Sequence, residues 1–525
     1  FISSFFFLAA NPLKAEIKGG GLGTLVNGSH SIGCTFGTCN IEGGFSSGSN
    51  LFHNFNSFDT RDIGITDVQI NSGMHSNVIL GVTNSSGTFI NKPIELSSQS
   101  SLFILSPAGI TIEGGTFSNV KSLVLTNSDT INQAGSFYNV FNFNTTNSFP
   151  NELINLSNNT FTVDIDSRII NGIDQVSLIK VSEFLEVDSD IVISAMKGNV
   201  QLDNANLHAE NNIEIISEAN SGSAIDIINS SKLTGQNILI EGLGGDIGSD
   251  ITGVNIYNSD LVADDLIYIY GARGEDLNFE SDFYDGVYLS ESSLRTLNSN
   301  SEIYVGSRLN DLNLDNINLV NMRNSNTYTN KNGRVFMNDV NLSSEGNIHI
   351  LGTGYYDAAI NIKNSSIDSK SGIEIIGYGH SNFYNSSGVN IKDSYLSSYN
   401  SGDTFIKIEG LGANFLGEMT SQDDFDIVLG INIYNSFIDT DGILDLYGVG
   451  SEGDILLNSY GIYFDESIVS SNSIEIKGYG GNSMMDIDNY YLNIMDFPYE
   501  NDGISINNSI FSSNTTLSID GTAGS

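Results

Sequence analysis

Two cysteines, Cys34 and Cys39, stand close together in a Gly/Thr-rich stretch and are the only thiols of the chain. In an exported protein such a pair is expected to close a small-loop disulfide, which needs an oxidising compartment. A metal site with His30 is the alternative, although two thiolates and one imidazole leave a tetrahedral shell one ligand short. His53 lies alone in an aromatic-rich run, where a histidine more often serves as a hydrogen-bonded structural residue than as a catalyst. Asp423-Asp424-Phe425-Asp426 reads as a solvated acidic loop. Asp439-Thr440-Asp441-Gly442 resembles part of a calcium loop but lacks the spaced ligands and terminal Glu of an EF-hand. The Gly-Gly-x-Gly-x-Asp array of calcium β-rolls is missing as well. Gly242-Leu243-Gly244 has neither a Lys nor a following helix, so no phosphate cradle is expected there. These residues predict no catalytic site, no metal and no other cofactor.

Charge narrows the classes further. With 62 acidic against 20 basic side chains the formal net charge is −42. Nucleic acid is not an expected partner, because binding it requires Lys and Arg to displace counterions. Docking on anionic lipid through a basic patch is excluded on the same ground. Like-charge repulsion would keep such a surface soluble, which suits a secreted protein in a saline medium. The 525 residues are 39% hydrophobic with 55 Gly and only 5 Pro, enough to bury a large core.

The elements that must position these residues are spelled out by repetition. Gly253-Val254-Asn255-Ile256-Tyr257-Asn258-Ser259 returns as Gly388-Val389-Asn390-Ile391-Lys392-Asp393-Ser394, as Gly430-Ile431-Asn432-Ile433-Tyr434-Asn435-Ser436 and as Gly503-Ile504-Ser505-Ile506-Asn507-Asn508-Ser509. Copies at Ala359 and Gly461 lead into Gly372-Ile373-Glu374-Ile375-Ile376-Gly377-Tyr378-Gly379 and Ser473-Ile474-Glu475-Ile476-Lys477-Gly478-Tyr479-Gly480, and less regular copies begin near Val200, Ala224, Gly286 and Gly333. Each copy runs through a short alternating strand, Asn-Ser or a relative, a second alternating strand and then usually Gly-x-Gly, after which the length is free. Pairs such as Ile431/Ile433 and Ile474/Ile476 alternate with polar residues, which is the period of strands. Self-similarity at this spacing signals a solenoid, and insertion at one fixed corner is what a solenoid tolerates best. The expected fold is all-β, a right-handed parallel β-helix with coils stacked at about 4.8 Å. The repeated Asn-Ser fits a turn whose stacked amides bond along the axis.

The chain opens with Phe1-Ile2-Ser3-Ser4-Phe5-Phe6-Phe7-Leu8-Ala9-Ala10, too short to span a bilayer and followed by Leu13-Lys14-Ala15. It reads as the remnant of a secretory signal, residues 1–15. Residues 515–525 read as the middle of a repeat, so the chain is expected to be a fragment. Between leader and repeats stand Asn50-Leu51-Phe52-His53-Asn54-Phe55-Asn56-Ser57-Phe58-Asp59, then Asn77-Val78-Ile79-Leu80-Gly81-Val82-Thr83, then Leu102-Phe103-Ile104-Leu105-Ser106-Pro107-Ala108-Gly109-Ile110. In this order the three blocks resemble the N-terminal domain of filamentous haemagglutinin-type two-partner secretion exoproteins. The family's Asn-Pro-Asn-Gly-Ile stands here as Ser106-Pro107-Ala108-Gly109-Ile110, and the Arg expected after Gly81 is absent.

The resemblance implies a β-helical secretion and capping domain over residues 16–197, followed by degenerate β-helix repeats over residues 198–525. It implies export through an outer-membrane β-barrel transporter of the two-partner type, to the outside or surface of the cell. Asn50, Leu51, Phe52, His53, Phe55, Phe58, Asp59, Gly81, Phe103, Pro107, Gly109 and Ile110 are its candidates for transporter recognition. The aromatic residues among them also read as core of a cap over the open end of the helix. An adhesive rod contacting glycans or receptors of a host or neighbouring cell is the leading function. The stalk of a cytolysin or contact-dependent toxin is a second class. A β-helix polysaccharide lyase is a third, less favoured because no repeated position collects the Lys or Arg it would need. Loops such as Asn382-Phe383-Tyr384-Asn385 are where sugar contacts are expected.

Overall fold

A computed structural model describes residues 15–133, 136–141, 177–245, 252–272, 285–306, 333–354, 358–379, 387–400, 404–412, 428–450, 459–481 and 502–523, with the backbone of 169–170 and 173–174. No helix occurs among them, and the strands pair predominantly in parallel, giving an all-β parallel β-helix. The chain divides into two compact units: residues 1–154 with 161–175, and residues 155–160 with 176–525. Residues 177–197, assigned by sequence to the N-terminal domain, fall in the second unit, where the strand Ser177–Val187 pairs in parallel with Gly198–Ala209.

The first unit turns from antiparallel to parallel pairing along one strand. Asn50–Phe58 is met antiparallel by Ile17–Gly21 and by Phe45–Ser47, and parallel by Asn77–Val82. From there parallel pairing continues through Asn77–Val82 to Ile94–Leu105 and on to Phe117–Thr126. Antiparallel strands laid on Asn50–Phe58 use backbone groups that would otherwise form a bare sheet edge.

The second unit is repetitive. Its first strand series steps in unbroken register from Ile225 to Val254, Val287, Val335, Ile360, Val389, Ile431, Ile462 and Ile504. All but the last are completely buried, and the residues two positions on, from Ile227 through Ile256, Leu289, Met337, Ile362, Ile391 and Ile433 to Phe464, form a second buried column. Period-two alternation therefore supplies the core directly, since one face of every strand points inward.

Two devices turn the corners. After the first strand comes a residue in the left-handed region, Asn258, Glu291, Asp339, Asn364, Asp393, Asn435 or Glu466, with φ between 44° and 55°. The residue that follows, a serine in every case but Val340, is buried, and its backbone N–H donates to the serine Oγ of the next coil, as from Ser365 to Ser394, Ser394 to Ser436 and Ser436 to Ser467, each at 3.2 Å. Each Oγ in turn donates to the carbonyl two residues back, as from Ser394 to Lys392 at 2.7 Å. The buried ladder is thus made by serine hydroxyls, while the Asn takes the left-handed turn for which its short polar side chain is suited. Its amide bonds are exposed, such as Asn435 Nδ2 to Asp393 Oδ1 at 2.6 Å.

The second device is a pair of glycines where the coil closes. A Cβ on Gly271 would overlap the carbonyl of Gly286, and the same holds for Gly377 with Gly388, Gly410 with Gly430 and Gly478 with Gly503. The free-length segments leave just after the first glycine of each pair and return at the second. Because the two backbones touch there, the stack closes whatever length lies between them.

Candidate functional site

The candidates for transporter recognition converge on the interior of the first unit. Asn50, Phe52, His53, Asn54, Phe55 and Phe58 are completely buried. The strand is covered on both faces. On one, Asn54 Nδ2 donates to the Val140 carbonyl at 3.0 Å and the Tyr138 ring lies 4.9 Å from Phe52. On the other, Phe55 meets Phe58 edge to face at 5.1 Å. Gly81, directly opposite Asn54, is where the Tyr138 hydroxyl sits, and any side chain there would collide with it. Burial holds the Tyr138 phenol in its neutral form well above its ordinary range.

His53 is enclosed with Thr24 Oγ1 3.4 Å from its Nδ1, and its Nε2 has no hydrogen-bond partner among the described residues. Desolvation, with a smaller repulsion from His75, lowers its pKa from 6.5 to about 4, so the ring is neutral at pH 7. Asp59 accepts two hydrogen bonds from Arg61, Nε at 3.0 Å and Nη2 at 2.7 Å, and that guanidinium lies over Phe89. Phe103 and Ile110 are core, and Ser106 to Gly109 form a turn closed by the Gly109 N–H on the Ser106 carbonyl at 2.8 Å. Pro107 occupies the position of that turn for which its fixed φ is suited. Every one of these residues has a structural task in the folded unit. Sequence reading missed Tyr138 and Asn54, which join the motif blocks to the segment after them.

Cys34 and Cys39 are joined in a disulfide with Cα atoms 5.7 Å apart, and His30 Nδ1 bonds to the Thr24 carbonyl. Neither sulfur is left as a thiolate for a metal. Among the described residues no group of His, Cys, Asp and Glu is placed to hold a metal ion. Asp439 lies in the strand Phe437–Val449, where its carboxylate accepts from the Tyr399 hydroxyl. Gly242 packs on Gly253 and belongs to the closing corner. The signal region 1–14, the acidic run 423–426 and the loop 382–385 lie outside the described residues.

The outward faces of the second unit carry side-chain columns of their own. On the third strand of each coil His349, Glu374 and Lys407 stand in register, with His349 Nδ1 to Glu374 Oε2 at 3.2 Å and Lys407 Nζ to Glu374 Oε1 at 3.1 Å. The hydrogen bond from His349, joined by Lys407, outweighs partial burial and holds Glu374 down at about 2. Further along the same column, burial beside Glu241 and Asp190 raises Glu214 to about 7. Rings also stack along the axis, Tyr268 on Tyr304 at 4.9 Å and Tyr395 on Phe437 at 5.2 Å. One expectation is overturned here. Lys363 and Lys392 are direct partners in register, so a repeated position does collect basic residues.

No family model matches the chain, and neither a curated protein nor a solved structure does.

Proposed function

We propose that the chain is a secreted or surface-exposed exoprotein whose β-helix serves adhesion or cell contact. The observation that carries this reading is the paired-glycine corner. Segments of very different length leave and return at the same place in the coil, Gly377 to Gly388 in one and Gly478 to Gly503 in another, while the core columns keep their register. A scaffold that holds its core constant and varies one edge is suited to display, because binding residues on loops can change without disturbing packing. Replacing residues 273–284, 380–386 and 413–427 by short Gly/Ser turns should leave the melting temperature nearly unchanged and remove adhesion to cells or surfaces. Retained adhesion would count against the reading.

Export by an outer-membrane β-barrel transporter is part of the proposal, and burial of the motif residues bears on how it would work. A partner cannot touch Phe52, His53 or Phe55 once the unit has folded, so recognition through them belongs to the unfolded chain. The largely local contacts of a solenoid suit folding coil by coil as it emerges. Secretion should therefore fail when the first unit is made to fold before transport, and undiminished secretion of a prefolded unit would refute this order of events.

A further inference from the structure

On the outward face of the first strand series, Lys363 and Lys392 occupy the same register position in successive coils, one coil rise of about 4.8 Å apart. Like charges directly opposite each other on a sheet are destabilising, and this chain has 62 carboxylates that could have been placed to neutralise them. Neither ammonium has an ion-pair partner among the described residues. Their contacts are with ring faces instead: Lys363 Nζ lies 5.6 Å from the centre of Phe336 and Lys392 Nζ 5.3 Å from that of Tyr434. Arg334, by contrast, is neutralised by the buried Asp285.

The surroundings of the two lysines are equally ordered. Two positions back on the same strands runs an amide ladder, Asn432 Nδ2 to Asn390 Oδ1 at 2.9 Å and Asn390 Nδ2 to Asn361 Oδ1 at 3.1 Å. Toward the start of the stack this column becomes aromatic, with Phe336 stacked on Tyr288 at 5.1 Å. Toward its end the lysine column becomes Tyr434 and then Asp465, which bounds the cationic stretch. Cations, amides and flat rings in straight columns along a rigid sheet are the groups that bind carboxylates, hydroxyls and the apolar faces of sugar rings.

We propose that this face binds a carboxylate-bearing polysaccharide lying along the coil axis. The rise between coils is close to that of one sugar unit in an extended chain, so Lys363 and Lys392 would meet carboxylates of the uronate chain while the Asn361, Asn390 and Asn432 ladder beside them meets its hydroxyls. The proposal rests on the adhesive reading and supplies it with a ligand class and a place. It also explains why two unpaired lysines are held in register on a strongly acidic protein.

The test uses the purified full chain, with polygalacturonate, dextran sulfate and neutral dextran titrated separately. Polygalacturonate should bind and neutral dextran should not. The double variant Lys363→Gln/Lys392→Gln should bind polygalacturonate at least tenfold more weakly, whereas Lys232→Gln/Lys370→Gln at other positions should bind normally. Removing a like-charge pair should keep or raise the melting temperature of the first variant, so weakened binding there is not unfolding. Unchanged binding by that variant would overturn the proposal, and so would binding of dextran sulfate alone. Because polymer and protein are both in solution, the outcome is independent of adhesion. Failed cell adhesion together with lysine-dependent polygalacturonate binding would count against the adhesive reading and for this site.

Discussion

Inside the first unit Phe52, Phe55, Phe58, Phe103 and Tyr138 fill the space around one strand, each in contacts that occur once. The second unit is filled by Ile, Val and Leu at fixed register positions, and its turns repeat the same serine and glycine contacts from coil to coil. One interior is specified by the shapes of particular large residues and the other by a rule applied repeatedly. The difference teaches where damage spreads. A lesion among contacts made once affects the whole packed unit, while a lesion in a stack is felt by its nearest neighbours.

The sharpest way to break the comparison is Phe55→Ala. It should cost about 3–5 kcal/mol and remove the cooperative transition of the first unit in a denaturant melt, because the ring is completely buried. An equal loss of the second unit's transition would show that the two interiors are not separate in this sense.

Acid should divide the units next. His53 titrates at about 4 when folded and near 6.5 when unfolded. Its lowered folded value makes its contribution complete above pH 6.5 and progressively lost as the pH falls to 4, about 3 kcal/mol in all. Glu214 in the second unit has the opposite sign, since its folded value is raised from 4.5 to about 7. Its contribution is present below pH 4.5 and lost as the pH rises to 7. Melts monitored separately for each unit between pH 4 and 7 should therefore slope in opposite directions, and His53→Leu should flatten that of the first.

Within the second unit, Gly271→Ala should cost about 1–3 kcal/mol, because the added methyl collides with the Gly286 carbonyl at a corner that cannot open without unstacking the coil. The smallest effect is expected of Ser436→Ala. It removes one rung, leaving the Ser394 N–H without its acceptor at a cost of about 1 kcal/mol, read as faster amide exchange at that rung.

Much of this was legible in the chain itself. The copies opening at Gly253, Gly388, Gly430 and Gly503 announced both the register and the place of insertion. The turn at Ser106 to Gly109 could be read from Pro107 and Gly109. The Asn-Ser repeat suggests an amide ladder, yet the hydroxyl makes the buried bond; in the folded coil Asn supplies the left-handed backbone and Ser the rung. Ser177–Val187 carries no Gly-x-Gly mark, yet it pairs in parallel with Gly198–Ala209 and falls in the second unit. The Lys363 and Lys392 pair stands at one position of the aligned copies, and the register of the strands sets the two side by side.

The sequence by itself determined the strand period, the inward set of every coil and the corner where length is free. Alternation and turn chemistry act over a few residues, so each repeat carries its own instructions. Tertiary structure alone decided which chemistry is hidden and which is shown. Tyr138 reaches Asn54 across 84 residues to seal the motif strand, and Arg334 finds Asp285 while Lys363 and Lys392, in register on successive coils, have no ion-pair partner among the described residues. Such contacts depend on the path of the whole chain, because the groups that meet are neighbours in space and not in sequence.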